Sequence, residues 1–203
     1  MTMKEKRATT LAARTFRTIM AIAAAFDLET MQLDAVNAFL NSKLDEIIYL
    51  ECPPGFKKEG KVWLLARALY GPRRSPLLWQ KELTKTLLEF DLKQVSEDPC
   101  LFASEKLIII FSVDDVIVLY CKENEAMAFE FRVALKSRYE LREMGEAKWV
   151  LGVRIVRKRD ERNFDLAMSG LIYRQNRPSI SSRVHEIAND TYGRGNSRID
   201  PKP

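Results

Sequence analysis

Two adjacent acids, Asp114 and Asp115, interrupt an apolar, β-branched run that reads IIIFSVDDVIVLY from Ile108 to Tyr120. Aspartate favours turns, so the segment reads as a hairpin with a polar tip. The other reading is a rigid mount on which two carboxylates hold a metal ion, and this segment alone favours the hairpin tip. The metal reading needs a further acid, and MQLDAVNAF (residues 31 to 39) supplies Asp34 at the end of a short apolar strand, before a turn that presents Phe39. On its own, Asp34 also reads as a helix N-cap. Three carboxylates brought together stay ionised only if cations neutralise them. Mg²⁺ suits such oxygen ligands, with Mn²⁺ as a substitute, and usually binds carboxylates together with substrate phosphates. Two such ions about 3.5–4 Å apart activate an attacking hydroxyl and stabilise the leaving oxygens, which is phosphoryl-transfer chemistry.

The elements that must position these acids follow from periodicity. Residues 9 to 27 carry a helical stripe of Leu11, Phe16, Ile19, Met20, Ala23 and Phe26. Met31 to Asp34 reads as a strand, Ala35 to Leu44 as a helical turn, and Ile47 to Glu51 and Val62 to Leu65 as strands around turn-rich segments. Ser75-Pro76 predicts a helix start, with Ser as N-cap and Pro at the first position, running to about Phe90. Strands are expected at Cys100 to Ala103, at Leu107 to Tyr120 around the Asp pair, and at Trp149 to Lys158 with a basic outer face; Glu123 to Tyr139 reads as an amphipathic helix. Strands and helices without regular βαβ alternation predict an α+β fold with an antiparallel sheet.

Composition narrows the function classes. The chain has 203 residues, 33 basic and 28 acidic, for a formal charge of +5. That excess is compatible with a polyanionic partner but small. No run is apolar enough to span a bilayer, and Arg14 and Arg17 break the apolar stretch near the start, which favours an amphipathic helix over a signal peptide. Three widely spaced cysteines fit neither a disulfide framework nor a zinc knuckle, and predict intracellular thiols, in cytoplasm or nucleus. The single histidine, His185, sits in a polar segment and excludes a histidine-based triad or zinc site.

With these residues in view, the chain resembles the reverse transcriptase domain of copia-type LTR retrotransposon polyproteins, from about Thr15 to Ile155. QLDAVNAFLNSKLDEIIYLECPPGF is similar to the family's Q-hydrophobic-D-V-K-T-A-F-L-N-G segment ending in P-P-G-F. RALYGPRRSPLLW resembles L-Y-G-L-K-Q-A-P-R-x-W, and EDPCLF resembles S-D-x-C-L-F. SVDD resembles Y-V-D-D, and LREMGEAKWVLGVRI resembles M-x-D-L-G-E-A-x-x-F-L-G-I-x-I. Five blocks in order, at similar spacing, carry the resemblance.

The resemblance implies a polymerase palm-type antiparallel sheet packed on helices, with truncated fingers and no complete thumb. The Ser-, Arg-, Asn-, Gly- and Pro-rich composition from about Asp165 predicts a disordered C-terminal tail. Together they imply an N-terminal extension over residues 1–14, a palm-like domain over 15–160 and a divergent tail over 161–203. Asp34, Asp114 and Asp115 would be catalytic metal ligands for RNA-directed DNA polymerisation with Mg²⁺ or Mn²⁺. Phe39 would close the sugar pocket, Gly71 to Pro76 would lie against the templating pair, and Gly152 would fall near the primer grip. Arg73 and Arg74 would face nucleic-acid phosphates. The partners implied are an RNA template, a DNA primer, deoxynucleoside triphosphates and the RNA/DNA hybrid, without a membrane. Four positions depart from the family pattern: Ser112 stands for Tyr, Pro72 for Leu, Arg74 for Gln and Ser42 for a turn Gly. Little or no activity is expected from the chain alone, because this catalysis is mostly positioning. A non-catalytic remnant that binds nucleic acid through Lys57, Lys58, Arg73, Arg74 and the Arg154 to Arg162 cluster is the alternative. A chain without selected function is the third reading.

Overall fold

The computed structural model describes residues 8–52, 54–56 and 59–168. In chain order the elements are α1 (Ala13–Ala25), β1 (Glu29–Ala35), a 3-10 turn (Ala38–Asn41), β2 (Tyr49–Leu50), β3 (Trp63–Leu64) and α2 (Ser75–Glu89). Then come β4 (Lys93–Gln94), β5 (Leu101–Ala103), β6 (Leu107–Ser112), β7 (Asp115–Tyr120) and, after a second 3-10 turn, α3 (Glu125–Arg138). The chain closes with β8 (Leu141–Gly145), β9 (Trp149–Val150), β10 (Val153–Lys158) and β11 (Asn163–Met168). Six strands make one antiparallel sheet in the order β4-β5-β6-β7-β1-β8, three make β11-β10-β9, and β2 pairs with β3. This is the expected α+β fold with an antiparallel sheet packed on helices.

The burial pattern explains the order. β6 and β7 are apolar on both faces, and Ile109, Ile110, Phe111 and Val116 to Leu119 are all buried, so these strands occupy the interior of the sheet. The helices cover it with stripes at helical spacing: Phe16, Ile19, Met20 and Ala23 from α1, Trp79, Leu83 and Leu87 from α2, and Ala128, Phe131 and Leu135 from α3. Aromatic edges join the layers, with Trp79 against Tyr139 at 5.0 Å and Phe90 against Phe131 at 5.5 Å between ring centroids. Among the described residues no helix is long and apolar enough to cross a membrane.

Several local expectations are corrected. α2 begins at Ser75 itself, with Arg74 in the cap position, and the buried Ser75 hydroxyl has no hydrogen-bond partner among the described residues. Ser42 sits at φ −106°, ordinary extended backbone, so no turn glycine is needed there. β8 joins the main sheet at its edge, and it went unpredicted because only Leu141 of its five residues is buried. β11 occupies residues expected to begin the tail, pairing with β10 from Val153–Met168 to Lys158–Asn163. Residues 169–203, Lys57 and Lys58 lie outside the described residues.

Three consecutive basic residues at and just past the end of β10, Arg157, Lys158 and Arg159, are ion-paired within the chain. Arg157 lies 2.5 Å from Asp27, 3.5 Å from Glu29 and 3.6 Å from Glu146, with its guanidinium 5.3 Å from the Phe164 ring. Arg159 reaches Asp27 and Glu29, and Lys158 reaches Glu161 and Asp165. Arg157 and Arg159 tie the β10–β11 hairpin to the α1–β1 turn, while Lys158 is paired within the hairpin. We expect Arg157→Ala to cost about 1–2 kcal/mol of stability through lost stacking and packing. Binding to an RNA/DNA hybrid should stay unchanged; urea unfolding and a salt titration of hybrid binding check the two halves.

Candidate active site

The acids gather where β1 and β7 meet. The two strands run antiparallel in continuous register from Glu29–Tyr120 to Asp34–Asp115, which places those two carboxylates directly opposite each other. Ser112 pairs with Asp115 across β6 and β7, leaving Val113 and Asp114 as a two-residue hairpin turn. Val113 adopts φ +53°, where a β-branched side chain is rarely found, so the surroundings must hold the tip in place. They do so from two sides. The Trp79 indole N–H donates to the Val113 carbonyl at 2.7 Å, and the Ala35 backbone N–H donates to the Asp114 carbonyl at 2.8 Å.

Each carboxylate of the turn has a different partner. Asp114 accepts a hydrogen bond on Oδ2 from the Tyr70 hydroxyl at 2.8 Å, whereas its Oδ1 is buried and has no partner among the described residues. Asp115 accepts on Oδ1 from the Gln32 side-chain amide at 2.9 Å, and the same nitrogen donates to the Trp149 carbonyl at 2.9 Å. Burial pushes the Asp114 carboxyl above its ordinary value of 3.8, opposed by the Tyr70 bond and reinforced by Asp34. Asp115 is raised likewise, first by burial, with Asp34 and Asp114 adding repulsion and Gln32 opposing. The Tyr70 hydroxyl is pushed up to about 12 by desolvation and by the carboxylate it faces. The residue as a whole is 57% exposed, with its hydroxyl bonded to Asp114.

The other residues singled out in the sequence distribute around this turn. Phe39 is buried in the 3-10 turn after β1, with the Tyr70 ring tilted against it at 4.2 Å between centroids. Gly71 follows Tyr70 at φ +121°, a backbone conformation open to glycine and costly for any side chain. Arg73 is exposed on the same loop, and Arg74 is ion-paired with Asp45. Ser112 is buried at the end of β6, and Gly152, at φ +73°, forms the turn between β9 and β10 with Leu151. Gln32, Tyr70 and Trp79 were missed as site residues. Gln32 had one legible signal: it lies two residues before Asp34, on the same face of a strand.

The donor set suits a hard divalent cation, since it is all carboxylate oxygen and includes the partnerless, buried Asp114 Oδ1. The convergence is looser than expected from the sequence. Among the described residues, no three Asp, Glu, His or Cys side chains close into a group that could hold a metal ion. Two of the candidate oxygens are already taken by Tyr70 and Gln32.

Comparison with known proteins adds a second line of evidence. Residues 5–169 match a family model described as reverse transcriptase (RNA-dependent DNA polymerase). The chain is 31% identical over 166 residues to the retrovirus-related Pol polyprotein from transposon TNT 1-94 of Nicotiana tabacum, covering 78% of the chain and 12% of that protein. It is 31% identical over 130 residues to a transposon Ty5-1 protein of Saccharomyces cerevisiae, covering 61% of the chain and 42% of that protein. It is 27% identical over 145 residues to the Pol polyprotein from transposon RE2 of Arabidopsis thaliana, covering 68% of the chain and 10% of that protein. The chain thus spans less than half the length of these relatives.

Proposed function

This chain belongs to the reverse transcriptase family of copia-type retrotransposons, and we propose that it is the palm of an RNA-directed DNA polymerase. The observation that supports this reading most is the Asp34–Asp115 cross-strand pair with Asp114 on the adjoining turn, pinned by Trp79 and Ala35. Asp34, Asp114 and Asp115 would hold Mg²⁺ or Mn²⁺. When bound, such ions supply activation of the primer 3′-hydroxyl and neutralisation of the leaving pyrophosphate.

The protein's own contribution is placement. The β1–β7 register fixes two carboxylates, the turn offers the third, and Gln32 orients Asp115 while holding the β9 backbone. Phe39 would meet the 2′ position of the incoming sugar, Gly71 and exposed Arg73 would flank the template and its phosphates, and Gly152 would lie on the primer side. Ser112, small and buried beside the acids, would leave room where the family carries a ring. RNA template, DNA primer and deoxynucleoside triphosphates are the substrates. Because such catalysis is mostly positioning, and the chain covers so little of its relatives' length, we expect low activity from residues 1–203 alone.

Primer extension on an RNA template with Mg²⁺ or Mn²⁺ tests this. We expect slow extension that disappears in Asp114→Asn and increases in Ser112→Tyr. Extension indifferent to Asp114→Asn would overturn the reading. The alternative of a non-catalytic binding remnant is weakened because Arg157, Lys158 and Arg159 are paired with acids of the same chain.

A further inference from the structure

We propose that Tyr70 is a latch on the site, a side chain that must leave Asp114 Oδ2 before a divalent cation can bind there. The inference rests on the polymerase reading only in taking Asp114 as a cation ligand.

Three observations carry it. The Tyr70 hydroxyl donates to Oδ2 of Asp114 at 2.8 Å, which places a partly positive hydrogen on the face of the carboxylate that a cation would need. A divalent ion and that hydrogen repel one another, so the two compete for the oxygen. The Tyr70 ring also packs on Phe39, 4.2 Å between centroids, and Phe39 is 5% exposed beneath it. One side chain therefore occupies the metal-facing carboxylate and covers the aromatic face that a sugar would meet. Finally, Tyr70 itself is mostly exposed and is followed by Gly71 in a glycine-favouring conformation, so it can swing away without unpacking the core.

The latch also accounts for the loose convergence of the acids. With Tyr70 on Oδ2 of Asp114 and Gln32 on Asp115, two of the three carboxylates are each engaged by a different side chain. Release of Tyr70 frees Oδ2 beside the partnerless Oδ1 and uncovers Phe39 in the same movement. Cation binding and access to the sugar pocket are thereby coupled through one hydroxyl.

The test is Mn²⁺ binding to the full chain, measured by calorimetry for wild type, Tyr70→Phe, Asp114→Asn and the double variant. Tyr70→Phe keeps the ring against Phe39 and removes only the competing hydroxyl. It should bind Mn²⁺ about three- to tenfold more tightly than wild type, a difference of the size one ordinary net hydrogen bond supports at a solvent-accessible side chain. The gain should vanish in the Asp114→Asn background, as a double-mutant cycle requires of a direct interaction. Mn²⁺ should also perturb the near-ultraviolet tyrosine absorption of wild type and leave that of Tyr70→Phe unchanged. Equal or weaker binding by Tyr70→Phe, with binding still dependent on Asp114, would overturn the latch and spare the metal reading. Binding that ignores Asp114 in every variant would overturn both.

Discussion

Trp79→Ala is expected to lower the unfolding free energy by about 3–5 kcal/mol, a large share of the roughly 5–15 kcal/mol that a domain possesses. The indole is 1% exposed, packs edge-on against Tyr139 and closes the centre of α2 over the sheet. Its removal leaves a cavity that rigid neighbours cannot fill. The same side chain donates to the Val113 carbonyl, so the loss reaches the Val113–Asp114 turn. Trp79→Phe separates the two effects. It keeps most of the volume and deletes the N–H, and should cost about 1–2 kcal/mol. It should also lose most of the Asp114-dependent Mn²⁺ response while remaining folded. Urea unfolding and Mn²⁺ calorimetry on both variants check this. A Phe variant with an unchanged Mn²⁺ response would show that the turn holds itself.

Asp115→Asn should do the opposite, stabilising the fold while removing the chemistry. The Asp115 carboxyl is raised above 3.8 by burial and by the charges of Asp34 and Asp114. A group raised in the folded state contributes stability that is fully present below its unfolded value and is lost as pH rises through its folded one. At neutral pH wild type therefore carries the cost of a charge that the fold disfavours. Asparagine is neutral, keeps an oxygen that can accept from Gln32, and escapes that cost. The expected gain is about 1 kcal/mol at pH 7, held small by partial exposure and solvent screening. It should shrink as pH falls toward 3.8. Divalent-dependent extension should drop by at least about a hundredfold, the usual scale for losing one pre-organised electrostatic group. Urea titrations across that pH range, run beside primer extension, check both signs. A variant less stable than wild type at pH 7 would contradict the account of a strained carboxylate.

The legibility of this fold varied with how strongly each segment announced itself. The β6–β7 hairpin was readable because β-branched runs on both sides of Asp114 and Asp115 leave few other structures open. The helices were readable from their stripes, to within a few residues at each end. β8 was not, since LREMG carries little apolar alternation; β11 was missed although Phe164, Leu166 and Met168 alternate, because the stretch adjoins polar, Ser- and Arg-rich sequence. Ser75 shows a limit of local rules, because Ser-Pro announced a cap that the backbone instead placed one residue earlier, at Arg74. The arginines from 154 to 159 show another. Their sequence reads as a basic face, and only folding brings Asp27 and Glu29 beneath it. Tyr70 was invisible for a similar reason, as nothing near it in sequence indicates that its hydroxyl will meet Asp114.

The place of β1 between β7 and β8 also governs when the site can exist. Gln32 is separated by 83 residues from Asp115 and by 117 from Trp149, so these contacts close very long loops and form late. During synthesis, Asp34 leaves the ribosome long before either flanking strand, and β1 waits with both edges unpaired. A strand with open edges invites pairing with another nascent chain until Gly145 has emerged. A reading frame lost between Tyr120 and Leu141 would still encode all three acids. It would leave β1 as an open edge of the sheet, a molecule with the residues of a polymerase and the solution behaviour of an aggregate.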